Sequence, residues 1–203
     1  MPRTPVVTRA AVAADVPVLL RLCRELSEVG ARAERAVDPV AGTESATDMA
    51  ARLHAAIERE DCRVLLACVD GQPAGMAVLH VMRPDPLSDS RVLQMNHVVV
   101  AKPHRRRGVG HALVAAAADV ADELRIDHVS VGVYPSLREA SRFYARLGFA
   151  QVTVRRIAPV AVLRRRLGGD APSLRVEDLV RRRTRLRRPV PAQRVVRSSQ
   201  RVD

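Results

Sequence analysis

The period of the apolar residues switches repeatedly along the chain, and the order of those switches restricts the fold more than any other feature. Residues 6–9 form a short β-type run. Asp15 offers a helix cap ahead of Pro17, and Val18, Leu19, Leu22, Leu26 and Val29 follow at helical spacing as far as Gly30. Residues 31–42, with Pro39 and Gly42, read as a loop. Ser45-x-x-Asp48 has the form of a capping box, opening a helix with Met49, Leu53, Ala56 and Ile57 on its apolar face. Two β-rich runs, 63–69 and 75–81, are separated by Asp70-Gly71-Gln72-Pro73. This is a hairpin signal, because Asp-Gly accepts the positive φ that a tight turn between twisted strands needs.

A Pro-rich loop at 83–90 leads into a buried strand over residues 92–100. Leu113, Ala116, Ala117, Val120 and Leu124 then mark the inward face of a helix that opens after Gly108. Residues 129–133 read as a strand. Ser136-x-x-Glu139 caps a helix that ends at Leu147, with Gly148 as its left-handed stop. Residues 152–157 read as a last strand, with 160–163 a further strand candidate. The order β-α-α-β-β-β-α-β-α-β predicts an α/β fold, a mixed central sheet with helices on both faces.

Composition decides what fills that fold and which functions it excludes. The chain has 203 residues, of which 47% are hydrophobic, enough for one domain with a full core. Two Tyr, two Phe and no Trp leave the core to aliphatic side chains and argue against a base-stacking RNA platform. The net charge of +12 is unevenly held. Residues 1–150 carry 19 Lys and Arg against 18 acids, whereas residues 151–203 carry 15 Arg against 4 acids. Two regions follow: a domain over 1–168, and an Arg-rich extension over 169–203 that is partly helical and then disordered. Cys23, Cys62 and Cys68 show no disulfide or zinc spacing, which predicts small buried hydrophobes and no metal. There is no signal-peptide apolar core and no run long enough to span a bilayer, so the expectation is a cytoplasmic chain with no transmembrane segment.

The chemistry concentrates where the strand ending in Val98, Val99 and Val100 meets Arg105-Arg106-Arg107-Gly108-Val109-Gly110 and the following helix. A helix N-terminus carries unpaired N–H groups and partial positive charge, so this turn has the make-up of a pyrophosphate cradle. It lacks the Lys-Ser/Thr of a P-loop and the first glycine of a dinucleotide fingerprint. An Arg-rich solvated turn is the alternative reading of the same residues. Some thirty residues on stands Ala140-Ser141-Arg142-Phe143-Tyr144-Ala145-Arg146-Leu147-Gly148-Phe149.

With both motifs in place, residues 4–157 resemble the GCN5-related N-acetyltransferase (GNAT) superfamily. Arg105-x-x-Gly108-x-Gly110 is similar to its acetyl-CoA motif, and residues 140–149 to its Ala-x-x-Phe-Tyr-x-x-x-Gly-Phe motif. The resemblance implies a mostly antiparallel mixed sheet and acetyl-CoA as co-substrate. It implies main-chain contacts to the pantetheine arm from Val98, Val99 and Val100. It implies a pyrophosphate held around Arg105, Arg106, Arg107, Gly108, Val109 and Gly110, with Ser141 as a further contact. Tyr144 takes the place of the acid that meets the departing thiolate. Three positions depart from the pattern. Leu137 stands where relatives have Asn, Gln94 where some have a general-base Glu, and Pro103 lies one residue nearer the glycines than expected. His97 is then the alternative base, or water suffices.

The resemblance implies an N-acetyltransferase acting on a primary amine by direct attack on the thioester, and it allows a homodimer that no residue specifies. A net charge of −4 over residues 15–61 fits a cationic amine, and equally an ordinary solvated helix face. Two other classes of function stand beside the enzyme. One is a non-catalytic domain that binds acyl-CoA. The other is nonspecific contact of the Arg-rich tail with nucleic acid or an anionic surface.

Overall fold

The computed structural model describes residues 5–34, 46–134, 136–154 and 156–168. Two compact units divide the chain, Met1–Val154 and Arg155–Asp203. The first holds strands β1 (Val6–Ala10), β2 (Cys62–Val69), β3 (Gln72–Met82), β4 (Val92–Val100) and β5 (Val129–Val131). Its helices are α1 (Val16–Glu34), α2 (Ala46–Glu58), α3 (Val109–Glu123) and α4 (Arg138–Arg146). The described part of the second unit contributes α5 (Val160–Leu167). The extension over 169–203, like Ser45 of the expected capping box, lies outside the described residues.

The strands form one sheet in the order β1-β2-β3-β4-β5. All neighbours are antiparallel except β4 and β5, which run parallel, so the sheet is mixed and mostly antiparallel as expected. Asp70 and Gly71 alone connect β2 to β3, with φ of 52° and 73°. These are the two positive φ values that a two-residue hairpin turn requires.

Alternation along the strands feeds two aliphatic layers. Leu65, Ala67, Val69, Ala77, Leu79, Leu93 and Met95 face α3, where Val109, Leu113 and Ala117 meet them. Val64, Leu66 and Met76 face the other way, onto Leu19 and Leu22 of α1 and Leu53 of α2. Cys23 and Cys62 are buried and Cys68 is half-buried, and none of the three is in a disulfide. Burial pushes the thiols of Cys23 and Cys62 up, away from the thiolate a nucleophile needs.

Several boundaries differ from the sequence reading. Gly30 does not stop α1, which runs on to Glu34 because Ala31, Arg32 and Ala33 outweigh one glycine. Asp15 caps from inside the turn, accepting the N–H of Val12 at 2.8 Å and gripping Arg9 through two bonds of 2.6 and 2.8 Å. That guanidinium holds its carboxyl below the usual carboxylate range. Leu137, not Ser136, is the cap residue of α4 and makes no side-chain capping bond.

The predicted last strand is also corrected. Residues 151–154 pair with no strand among the described residues, and Val152 and Val154 are exposed. The 160–163 candidate is the first half of α5, entered from Pro159, whose carbonyl accepts from Val162 and Leu163 at 3.0 and 3.1 Å. Period two in Gln151-Val152-Thr153-Val154 describes a strand only when an edge receives it. After Pro159, the helix-forming Ala161, Leu163 and three arginines overcome two valines.

Candidate functional site

β4 is paired on one side along its length and on the other only at its start. Its contacts with β5 are Leu93 to Val129, Gln94 to Ser130 and Met95 to Val131, and β5 supplies nothing beyond. Beyond Met95, therefore, β4 runs on without β5 beside it. Its geometry is set by a bulge. The pairing with β3 jumps between Met76 and Val78, so that His97 and Val98 together oppose Ala77. His97 absorbs the extra residue with φ 47°. The jump reverses the alternation: Leu93 and Met95 face α3 before it, Val98 and Val100 after it, while Val99 turns toward α1.

Gly75 fixes β4 from the other side, and sequence reasoning missed it. A Cβ there would lie 2.6 Å from the Val99 carbonyl oxygen and 2.8 Å from Val109 Cγ1. Only glycine lets β3, β4 and the start of α3 converge at that point. Its sole signal in the sequence was a glycine opening a β-type run.

The turn that follows reverses handedness twice. Arg106 has φ 62° and Gly108 φ 88°, so left-handed residues alternate along it and α3 begins at Val109. Such alternation aims successive N–H groups into a concavity that suits an anion. The first α3 bond runs from Ala112 N–H to the Gly108 carbonyl at 3.0 Å, which leaves the N–H groups of Val109, Gly110 and His111 without an intrahelical acceptor. The three arginines do not converge. Arg105 Nε donates back to the Val100 carbonyl at 3.4 Å, Arg106 lies 3.6 Å from Glu139, and Arg107 lies 3.6 Å from Asp70. Val109 is 1% exposed, so its side chain is core and only its backbone can face a ligand.

The two glycines have different reasons. Gly108 needs its positive φ, and a Cβ there would meet Val6 Cγ2 only at ordinary contact, 4.0 Å. At Gly110 a Cβ would stand 3.2 Å from the ring of Phe143, so this glycine admits α4 against α3.

α4 carries the aromatic chemistry. Ring contacts run from His111 to Phe143, to Tyr144, to Phe149, with centroids 5.2, 5.0 and 5.3 Å apart and all edge-on. The helix ends in a Schellman motif: Gly148 at φ 91° donates to Ala145, and Phe149 donates to the Tyr144 carbonyl at 3.1 Å. The same Phe149 covers the Tyr144 ring, which supplies the apolar contact such an ending favours. Tyr144 is 7% exposed, and burial pushes its phenol up to about 12. Among the described residues its hydroxyl makes no hydrogen bond. Ser141 lies one turn earlier on α4 and is exposed.

The sequence profile of the acetyltransferase (GNAT) family matches residues 31–149, which include β4, the turn and Tyr144. The chain belongs to that family. Proteins of curated function give no match to it. Among solved structures, the BH1408 protein of Bacillus halodurans, as a tetramutant, is similar at a TM-score of 0.64 and 20% identity, over 75% of this chain and 99% of the other. A ribosomal-protein-alanine N-acetyltransferase of Brucella melitensis biovar Abortus is similar at 0.59 and 18%, over 76% and 99%. An aminoglycoside acetyltransferase from an uncultured soil metagenomic sample follows at 0.58 and 17%, over 76% and 95%. Identities this low speak for the fold.

Gln94 has both ends of its amide engaged, its Oε1 accepting from Ser130 Oγ at 2.6 Å and its Nε2 donating to the Met95 carbonyl at 3.2 Å. It braces β4 against β5. Asn96 Nδ2 donates to His80 Nδ1 at 3.0 Å, on the α1 side of the sheet. His80 was missed because one histidine in a hairpin strand has no spacing to mark it. His97 is exposed at the bulge. Leu137 serves as the α4 cap residue without a side-chain capping bond. The described residues contain no cluster of three or more His, Cys, Asp or Glu fit for a metal ion.

Proposed function

We propose that this GNAT protein moves an acetyl group from acetyl-CoA to a primary amine, by direct attack of the neutral amine on the thioester. The observation that carries the reading is that β5 stops pairing β4 at Met95, while β4 runs on toward the turn with left-handed Arg106 and Gly108. An extended pantetheine arm has amides that suit an unpaired strand edge, and a diphosphate suits the N–H groups at the start of α3. Val98, Val99 and Val100 hold the arm by main chain; the stretch from Arg105 to Gly110 holds the phosphates, with Ser141 adjoining.

In the reaction a C–N bond forms, the C–S bond breaks, and the amine loses one proton. Attack needs a neutral amine, so an ammonium first gives a proton to water or to His97, the exposed imidazole at the bulge. Tyr144 meets the leaving sulfur. A phenol raised to about 12 is a weaker acid than a thiol, whose reference value is about 8.5. Tyr144 therefore stabilises the thiolate by donating a hydrogen bond, and the proton released by the amine completes the thiol.

Acetyl-CoA turnover by the purified chain, read as thiol release against a panel of primary amines, tests the reading. Release that depends on an added amine supports it. CoA binding without release under any amine would make the protein an acyl-CoA-binding domain instead.

A further inference from the structure

We propose that α5 is a docking helix for an anionic lipid surface. The helix reads Val-Ala-Val-Leu-Arg-Arg-Arg-Leu and every side chain on it except Val162 is exposed. Val160 is 64% exposed, Leu163 43% and Leu167 84%. At 100° per residue these three fall within an arc of about 60°. Arg164 and Arg166 border that arc on its two sides, and Arg165 lies away from it. Ile157, just before the helix, adds a fourth exposed aliphatic side chain.

An aliphatic stripe between two guanidinium rows matches a boundary where phosphates and hydrocarbon meet. Aliphatic side chains enter the acyl layer and the long arginine stems reach back to the headgroups. Nucleic acid offers the arginines the same phosphates but nothing to Val160, Leu163 and Leu167. The sequence after Phe149 has no aromatic residue to stack on a base. A second copy of α5 would bring Arg164, Arg165 and Arg166 against their equals. The charge beyond the helix has the same sign, since residues 151–203 hold 15 Arg against 4 acids. No helix among the described residues is long and apolar enough to cross a membrane, so the contact is peripheral.

The test is co-sedimentation of the full chain with vesicles of phosphatidylcholine alone, and of phosphatidylcholine with phosphatidylglycerol. A single-stranded homopolymer RNA at equal phosphate concentration is run beside them. Binding at least about tenfold tighter to the anionic vesicles than to either comparison is expected. The double variant Leu163→Glu/Leu167→Glu should lose about tenfold or more, and the triple variant Arg164→Gln/Arg165→Gln/Arg166→Gln should lose the preference for phosphatidylglycerol. Thermal melts of both variants should match the native chain, because these side chains are exposed. Tighter binding to RNA, equal binding to both vesicles, or anionic binding untouched by the leucine changes would each overturn the proposal. The outcome does not depend on acetyl transfer.

Discussion

Replacing Tyr144 by Phe removes one hydroxyl and leaves the ring contacts with Phe143 and Phe149 in place. Steady-state kinetics should show kcat reduced about 10²-fold, the usual cost of one donor aimed at developing charge, with KM for acetyl-CoA little changed. An equal fall in affinity would make the residue a packing element. Because burial raises the phenol to about 12, kcat should show no alkaline limb from Tyr144 below pH 10. The unfolded phenol ionises near its ordinary value of about 10 while the folded one stays neutral. Stability from this group is therefore intact below pH 10 and falls as pH rises from there toward 12. Much of this scale was legible in the sequence: Tyr144 stood out through its neighbours, and Gly108 through its turn. The role of Gly110 was not legible, since the Phe143 ring that fills its missing side chain comes from a helix some thirty residues away. His80 and Gly75 were invisible for the same reason, because their partners come from another strand.

Two backbone devices set the elements, and each has a test. Gly75→Ala puts a carbon 2.6 Å from the Val99 carbonyl, so β4 must move. Urea unfolding should show a loss of about 1–3 kcal/mol, and calorimetry a weaker grip on acetyl-CoA. Destabilisation with unchanged affinity would mean that the β4 edge does not touch the ligand. The second device ends α3. Arg125 sits at φ 53° and donates to Asp122, while Ile126 donates to Ala121, so an arginine occupies the left-handed position of a Schellman ending. Arg125→Gly should raise stability by about 0.5–1 kcal/mol in the same assay, relieving the strain of a Cβ there. A lower stability would show that the side chain does more than point outward. Elements with a strong local cause, the Asp70-Gly71 hairpin and the Gly148 stop, were readable from sequence. The run at 152–157 was misread because alternation specifies a strand only together with an edge, and no local pattern reveals the edge. The bulge at His97 escaped for a related reason, since it exists only as a mismatch between β3 and β4.

Over the whole molecule, charge and chemistry are separated. The near-neutral body carries the stretch of β4 beyond β5, the turn proposed to hold the diphosphate, and Tyr144, while most of the net charge lies beyond residue 150. That partition was visible by counting alone. The proposed ligand site rests on two short motifs readable in the sequence, but a strand that outruns its neighbour needed the register of β4 against β5. Isothermal titration of acetyl-CoA into the intact, folded chain tests that feature most directly. The account predicts one saturable site, with binding lost in Gly108→Asp, where a carboxylate meets the diphosphate and a Cβ is forced into φ 88°. Absence of binding by the folded native chain, or binding that Gly108→Asp leaves unchanged, would contradict it.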